Sequence, residues 1–289
     1  MNIVNLFNGK YKRLDLRENS NLKLAREVYN KGDIDGVRIN REINNKSFFN
    51  EFIKYFDDIE GLNVSPYGDG VSYDFLYKMK KLKGLDLQTM YPINFQNLAQ
   101  LNTLSLWWNK KMITNFEELQ NLEHLSIKEF DEKDLTKLSS LKNLKTLSFK
   151  TAKIKSLKGI ETLTNLKCIS FGGVRSLTDI SDITTLQNLK FLEFDICWKL
   201  QDFSPLGKLK ELEVLQLMDC KNLTSIKFVK ELSKLRQLYT LGTTIINDFD
   251  TTPAKDVAIY FGSRASSKYN KEYPEKEIQE GQKTWNSYL

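Results

Sequence analysis

Leucine and its aliphatic relatives return along this chain in one motif, L-x-x-L-x-L, with polar residues in the gaps. It runs Leu82/Leu85/Leu87, Leu101/Leu104/Leu106, Leu122/Leu125/Ile127, Leu144/Leu147/Phe149, Leu166/Ile169/Phe171, Leu189/Leu192/Phe194 and Leu212/Leu215/Leu217. Leu235/Leu238/Thr240 is a weaker last copy, and Ile34/Val37/Ile39 and Ile59/Leu62/Val64 are degenerate early ones. From Leu82 onward successive starts are 19, 21, 22, 22, 23, 23 and 23 residues apart. Alternation inside the motif predicts a short strand whose fourth and sixth positions face a core. Between motifs the apolar residues recur every third place, as in Leu177, Ile180, Ile183 and Leu186. That spacing predicts 3-10 turns, in which residues three apart eclipse. A single coil of this kind cannot bury its own leucines, whereas stacked coils share a core. The pattern therefore predicts a solenoid with parallel strands on its concave side.

The ends break the pattern. Residues 1–58 read as an N-terminal cap, partly helical and including a degenerate first repeat. Residues 59–250 are the repeats, and residues 251–289 read as a C-terminal helical cap. Ser20 and Ser47 are candidate N-caps, Gly32 a stop signal, and Phe48, Phe52 and Phe56 share one helical face. Thr252 before Pro253, with Gly262 beyond, predicts another helix. "PEKEIQEGQKTWNSYL" offers a final amphipathic one.

The repeats resemble the leucine-rich repeat family over roughly residues 59 to 250. "LTDISDITTLQNLKFLEF" and "LQDFSPLGKLKELEVLQL" resemble the bacterial internalin-like subtype of about 22 residues per repeat. The resemblance implies an α/β solenoid, a leucine-rich-repeat horseshoe with a concave parallel β-sheet, a 3-10 or extended convex side and helical caps. The family places Asn or Cys at the ninth repeat position, where the side chain bonds loop backbone. Here that position holds Met90, Asn109, Phe130, Ala152, Val174, Cys197, Cys220 and Thr243. One Asn remains, so a broken polar ladder is expected.

Composition narrows the function. The 289 residues are 40% hydrophobic and 28% charged, the balance of a globular protein. Neither a sustained apolar leader nor an apolar run of membrane-spanning length is present, so the expectation is a cytoplasmic protein with three reduced cysteines. The adhesion role of the secreted internalins is not carried over. Net charge is +6, from 43 basic and 37 acidic residues of interspersed sign. Lys145, Lys167, Lys190 and Arg236 recur at the second repeat position, interrupted by Glu213, and read as a solvated edge rather than a phosphate-binding stripe. The only histidine, His124, shares the third position with Cys168 two strands away, about 10 Å and too far for a nucleophile and its base. No Walker loop, dinucleotide fingerprint, nucleophile elbow or clustered metal-ligand set appears. No catalysis and no cofactor are expected.

The third, fifth and seventh positions should face the concave side. On that side Trp107 projects beside a floor formed by Ser105, Ser126, Ser148 and Ser170, while Trp108 turns toward the core or the corner. Phe191, Met218 and Tyr239 add apolar bulk, Lys128 and Lys150 positive charge, and Glu193 and Asp195 negative charge. Large aromatics beside polar groups are the usual anchors of protein interfaces. These eight residues are the candidate partner-binding set. The expected function is a non-catalytic module that holds a protein partner on its concave face, as an inhibitor or an immunity or antitoxin-type protein. Alternatives are a bacterial effector or adaptor acting on host proteins and, from another class, a nucleic-acid binder.

Overall fold

Every full copy of the repeat motif forms a strand in the computed structural model, which describes residues 2–6, 11–40, 43, 45–65, 71–221, 223–262 and 283–288. In chain order the strands are β1 (Asn2–Leu6), β2 (Tyr11–Leu16), β3 (Gly36–Ile39), β4 (Gly61–Val64), β5 (Gly84–Leu87), β6 (Ile93–Asn94), β7 (Thr103–Trp107), β8 (Ile113–Thr114), β9 (His124–Phe130), β10 (Thr146–Ala152), β11 (Cys168–Gly172), β12 (Phe191–Asp195), β13 (Val214–Met218), β14 (Gln237–Leu241) and β15 (Ile259–Gly262). Short 3-10 turns lie between them, as the three-residue spacing requires. Two compact units result, Met1–Glu123 and His124–Leu289, a division that falls inside the repeats rather than at either expected cap boundary. Among the described residues no helix is long and apolar enough to cross a membrane.

In the first unit β1 is antiparallel to β2, and β2, β3, β4, β5 and β7 follow in parallel order. Two helices enter this run, α1 (Leu22–Lys31) and α2 (Lys46–Phe56). Their N-caps are Asn21 and Asn45, not Ser20 and Ser47. Each carboxamide accepts the amide three residues on, at 3.0 Å from Leu24 and 2.8 Å from Phe48. The serines bond elsewhere: Ser20 Oγ accepts the Arg17 amide and Ser47 Oγ donates to Asn45. Gly32 ends α1 as expected. Phe48, Phe52 and Phe56 stack along α2 and are buried. Gly36 and Gly61 are adjacent third-position residues with no room for a side chain: a Cβ on Gly36 would strike the Gly61 carbonyl and the Arg13 guanidinium.

The second unit stacks β9 to β15 in parallel and residue-for-residue register. First, fourth and sixth positions face the core, and Phe149, Phe171 and Phe194 form a spine of stacked rings at 5.8 and 5.1 Å. The chain turns through a left-handed residue at the end of the strands β9 to β14: Glu129 and Thr151 are the penultimate residues of β9 and β10, and Gly173, Ile196, Asp219 and Gly242 directly follow β11 to β14. Only two of these are glycine, so the corner is imposed by stacking rather than by local preference.

The ninth-position ladder is broken as expected and persists in the repeats of β12, β13 and β14. Cys197 Sγ lies 3.5 Å from the Phe171 carbonyl, and Cys220 Sγ lies 3.6 Å from that of Phe194. Thr244 Oγ1 donates to Leu217 at 2.9 Å, so Thr244 takes the slot assigned above to Thr243. Each reaches the sixth-position carbonyl of the repeat before. Phe130, Ala152 and Val174 fill the same slot with buried apolar groups. All three cysteines are buried thiols. Hydrogen bonding with Cys220, then burial, pushes the Cys197 thiol well above its ordinary range.

The expected helix after Thr252 does not form. Thr252–Ala254 is a single 3-10 turn, and β15 then pairs in parallel with β14. Val257, Tyr260 and Gly262 stand 22 residues after Leu235, Leu238 and Thr240, so this is one more copy of the motif with its leucines replaced. Most of the final predicted helix lies outside the described residues, and Trp285–Tyr288 is a 3-10 turn.

Candidate partner-binding face

The sheet face opposite the core carries the third, fifth and seventh positions, and the register aligns them into rows. In the second unit the fifth row passes through Ser126, Ser148, Ser170, Glu193 and Gln216, all half-buried. Ser170 Oγ donates to the Glu193 carboxylate at 2.5 Å. In the seventh row Lys128 and Lys150 are register neighbours, and Lys150 is exposed. Further along, Asp195 pairs with Met218, both half-buried. Burial, then the charges of Glu193 and Asp219, raises the Asp195 carboxyl above its usual range. The basic and acidic ends predicted from sequence therefore exist on one face of one unit. Trp107 belongs to the first unit, where it is half-exposed at the end of β7. Trp108 is 6% exposed and meets Phe116 edge-on at 5.3 Å, as the alternation predicts.

The third row, joined by Tyr239 of the fifth, departs from expectation. Cys168, Phe191, Val214, Tyr239 and Ile259 form a buried cluster on the open face, with Met218, Leu241, Phe261, Trp285 and Tyr288 packed against it. Phe191 is 3% exposed and Tyr239 is 7% exposed, so neither is the free anchor inferred from strand alternation. The segment Lys283–Tyr288 lies on them. Trp285 meets the Phe191 ring at 5.6 Å and Tyr288 approaches it at 6.2 Å. Gln237 Oε1 accepts the Lys283 amide at 2.8 Å, and its Nε2 donates to the Lys283 carbonyl at 3.3 Å. Glu213 binds the Lys283 ammonium and accepts the Tyr288 hydroxyl at 3.2 Å. Lys190 also pairs with Glu213, at 3.3 Å. Burial pushes Glu213 up, but Lys283 and Lys190 together hold it below the usual glutamate range.

Sequence reading missed Glu213, Gln237, Trp285 and Tyr288. One signal was available: Glu213 interrupts the basic second-position run of Lys145, Lys167, Lys190 and Arg236. A second omission is Trp198, 37% exposed, with the Arg175 guanidinium and the Lys221 ammonium each 4.5 Å from its ring centre. The three recur 23 residues apart, so their stacking was visible in the repeat spacing.

Cys168 and His124 form no dyad. His124 Nδ1 is 3.0 Å from Thr146 Oγ1, and β10 stands between β9 and β11. Burial pushes the Cys168 thiol up to about 12, far from a nucleophile's range. Among the described residues no group of three or more His, Cys, Asp or Glu is placed to hold a metal ion.

No protein-family model matches the sequence, and no curated protein matches it. Solved structures do. Internalin C2 from Listeria monocytogenes aligns at TM-score 0.51 and 23% identity, over 64% of this chain and 81% of that one. The internalin InlF of the same species aligns at 0.51 and 17%, over 83% and 76%. The leucine-rich repeat domain of the type III effector XopL aligns at 0.52 and 21%, over 71% and 76%. The chain has the leucine-rich-repeat fold. Its repeats are of the internalin-like kind, and at these identities the likeness concerns fold alone. What a leucine-rich-repeat sheet does depends on its open-face rows, and here one stretch of those rows already holds a peptide segment.

Proposed function

We propose that this chain is a non-catalytic protein-binding module that engages a protein partner on the open face of its leucine-rich-repeat sheet. One observation carries the reading: that face seats a segment of the chain from beyond the repeats, Lys283–Tyr288, through backbone, charge and aromatic contacts at once. A surface that accepts one peptide in this way has the chemistry to accept another. In the second unit the half-exposed Lys128, Glu193, Asp195 and Met218 and the exposed Lys150 are the proposed contact residues, and Trp107 is a separate proposed contact on the first unit. Phe191 and Tyr239 contribute beneath the segment. A compact binder of this type suits masking or inhibition, as an immunity or antitoxin-type protein does. Three buried free thiols agree with a reducing, cytoplasmic setting.

The test begins with the partner captured from the native source. Its affinity is then measured by calorimetry against Trp107→Ala and the charge reversal Lys128→Glu/Lys150→Glu, with the control Lys158→Ala at an exposed residue of the return path between β10 and β11. A hot-spot tryptophan should cost about 2–4 kcal/mol, roughly 30- to 1000-fold. Unchanged binding in both variants removes the open face from the interface. A steep loss of affinity with salt for a captured nucleic acid would favour that class instead.

A further inference from the structure

A four-residue 3-10 turn does not hold its own shape in water, so Trp285–Tyr288 owes its conformation to what it touches. Those contacts are of three kinds. Gln237, 2% exposed, bonds the Lys283 amide and carbonyl together, which reads peptide backbone whatever the side chain. Glu213 reads a cation and a hydroxyl. Phe191 offers its ring to two aromatics spaced three residues apart. The segment uses one side only: Thr284, Asn286 and Ser287 are exposed, and Trp285 and Tyr288 remain half-exposed. Nor does the site depend on being filled, because Glu213 keeps Lys190 as an ion-pair partner.

We propose that Phe191, Glu213 and Gln237 form a docking site for a partner's peptide segment carrying a basic residue with aromatics two and five places on, and that Lys283–Tyr288 is a self-ligand which the partner displaces. This deepens the binding reading above and rests on it. The occupant's chemistry is given by the stand-in, Lys-x-Trp-x-x-Tyr. A tethered segment competes at an effective concentration in the millimolar range. A partner therefore prevails by adding contacts, and Glu193 and Asp195 on β12, with Ser170 on the neighbouring β11, supply polar ones.

The experiment uses the full chain and the variant Trp285→Ala/Tyr288→Ala. The probe is the labelled hexapeptide KTWNSY, read by fluorescence anisotropy. The variant should bind it at least about tenfold tighter than the parent chain, and adding Gln237→Ala should abolish the gain. Cys168, in the cluster beneath the segment, gives an independent readout. Its alkylation should accelerate at least about tenfold in the variant, as local opening exposes it, while Cys197 and Cys220 stay protected. Equal peptide binding and equal Cys168 labelling in the two proteins overturn the proposal. So does a variant that fails to fold by circular dichroism, since a displaceable segment is not required for folding. A dimer that forms in the parent chain and disappears in the variant, read by sedimentation, assigns the segment to a second copy and also overturns it. The reading under Proposed function fails separately, on the Trp107 and Lys128/Lys150 variants.

Discussion

Trp285 meets Phe191 edge-on, ring centroids 5.6 Å apart and planes at 89°. The contact joins a side chain from the repeat to one from beyond it. It changes Phe191 from an exposed anchor into a covered one without altering the strand or its register. Three further properties of the fold can be measured, alongside the tests given with the two proposals.

The neighbouring tryptophans should separate cleanly. Trp108 is 6% exposed against Phe116, so Trp108→Ala leaves a cavity and should cost about 3–5 kcal/mol. Trp107 is half-exposed, and Trp107→Ala should cost under about 1 kcal/mol. Urea denaturation of both variants decides it. The opposite order would place Trp107 in the core and shift the register of β7 by one.

The strand-end corners carry strain that glycine relieves. Ile196 sits at φ 56°, where an L-residue loses about 1–2 kcal/mol. Glycine gives back about 0.5–1 kcal/mol as backbone entropy. Ile196→Gly should therefore stabilise the protein by about 0.5–1 kcal/mol. Gly173, at φ 66° in the equivalent position, should lose about 1–2 kcal/mol on change to Ala. Denaturant midpoints at unchanged slope are the measurement. A destabilised Ile196→Gly would mean that its packing outweighs the strain.

Docking of Lys283–Tyr288 should have two pH limits. The Glu213 pKa is lowered in the docked state, so its contribution is complete above the ordinary value of 4.5 and is lost as pH falls through the depressed value. Tyr288 is shifted the other way, by burial and then by Glu213. Its neutral hydroxyl supports docking below the ordinary 10.0, and that support is lost as pH rises toward the raised value. The groups facing Glu213 are Lys190, Lys283 and Tyr288. Emission of the parent chain minus that of Trp285→Ala, followed against pH, should show both transitions. Glu213→Gln should remove the acid one, and an acid transition that survives that change excludes Glu213 as its origin.

Much of the fold was legible because repetition multiplies a weak signal. One L-x-x-L-x-L is ambiguous, but eight in succession predicted the strands, their register and the 3-10 return path. Three readings failed for physical reasons. Pro253 after Thr252 satisfies the rules for a helix start, yet it opens only a short turn, because Val257 and Tyr260 have a preceding coil to stack upon. Such long-range packing overrides a local cap. Phe191 and Tyr239 failed differently. Alternation tells which face a side chain occupies, but not whether a distant segment lies over it. Ser20 and Ser47 lost their caps to adjacent asparagines, a margin of one or two residues that sequence rules do not resolve.

The cover over the aromatic cluster is also late in manufacture. Lys283 trails Tyr239 by 44 residues. A ribosome adding ~5–20 residues per second leaves an interval of roughly 2 to 9 s between the two. During that interval the nascent chain shows Phe191, Val214 and Tyr239 to water and to every other molecule near the exit tunnel. An assembly partner present during translation would meet the site before Lys283–Tyr288 does, and would need to displace nothing.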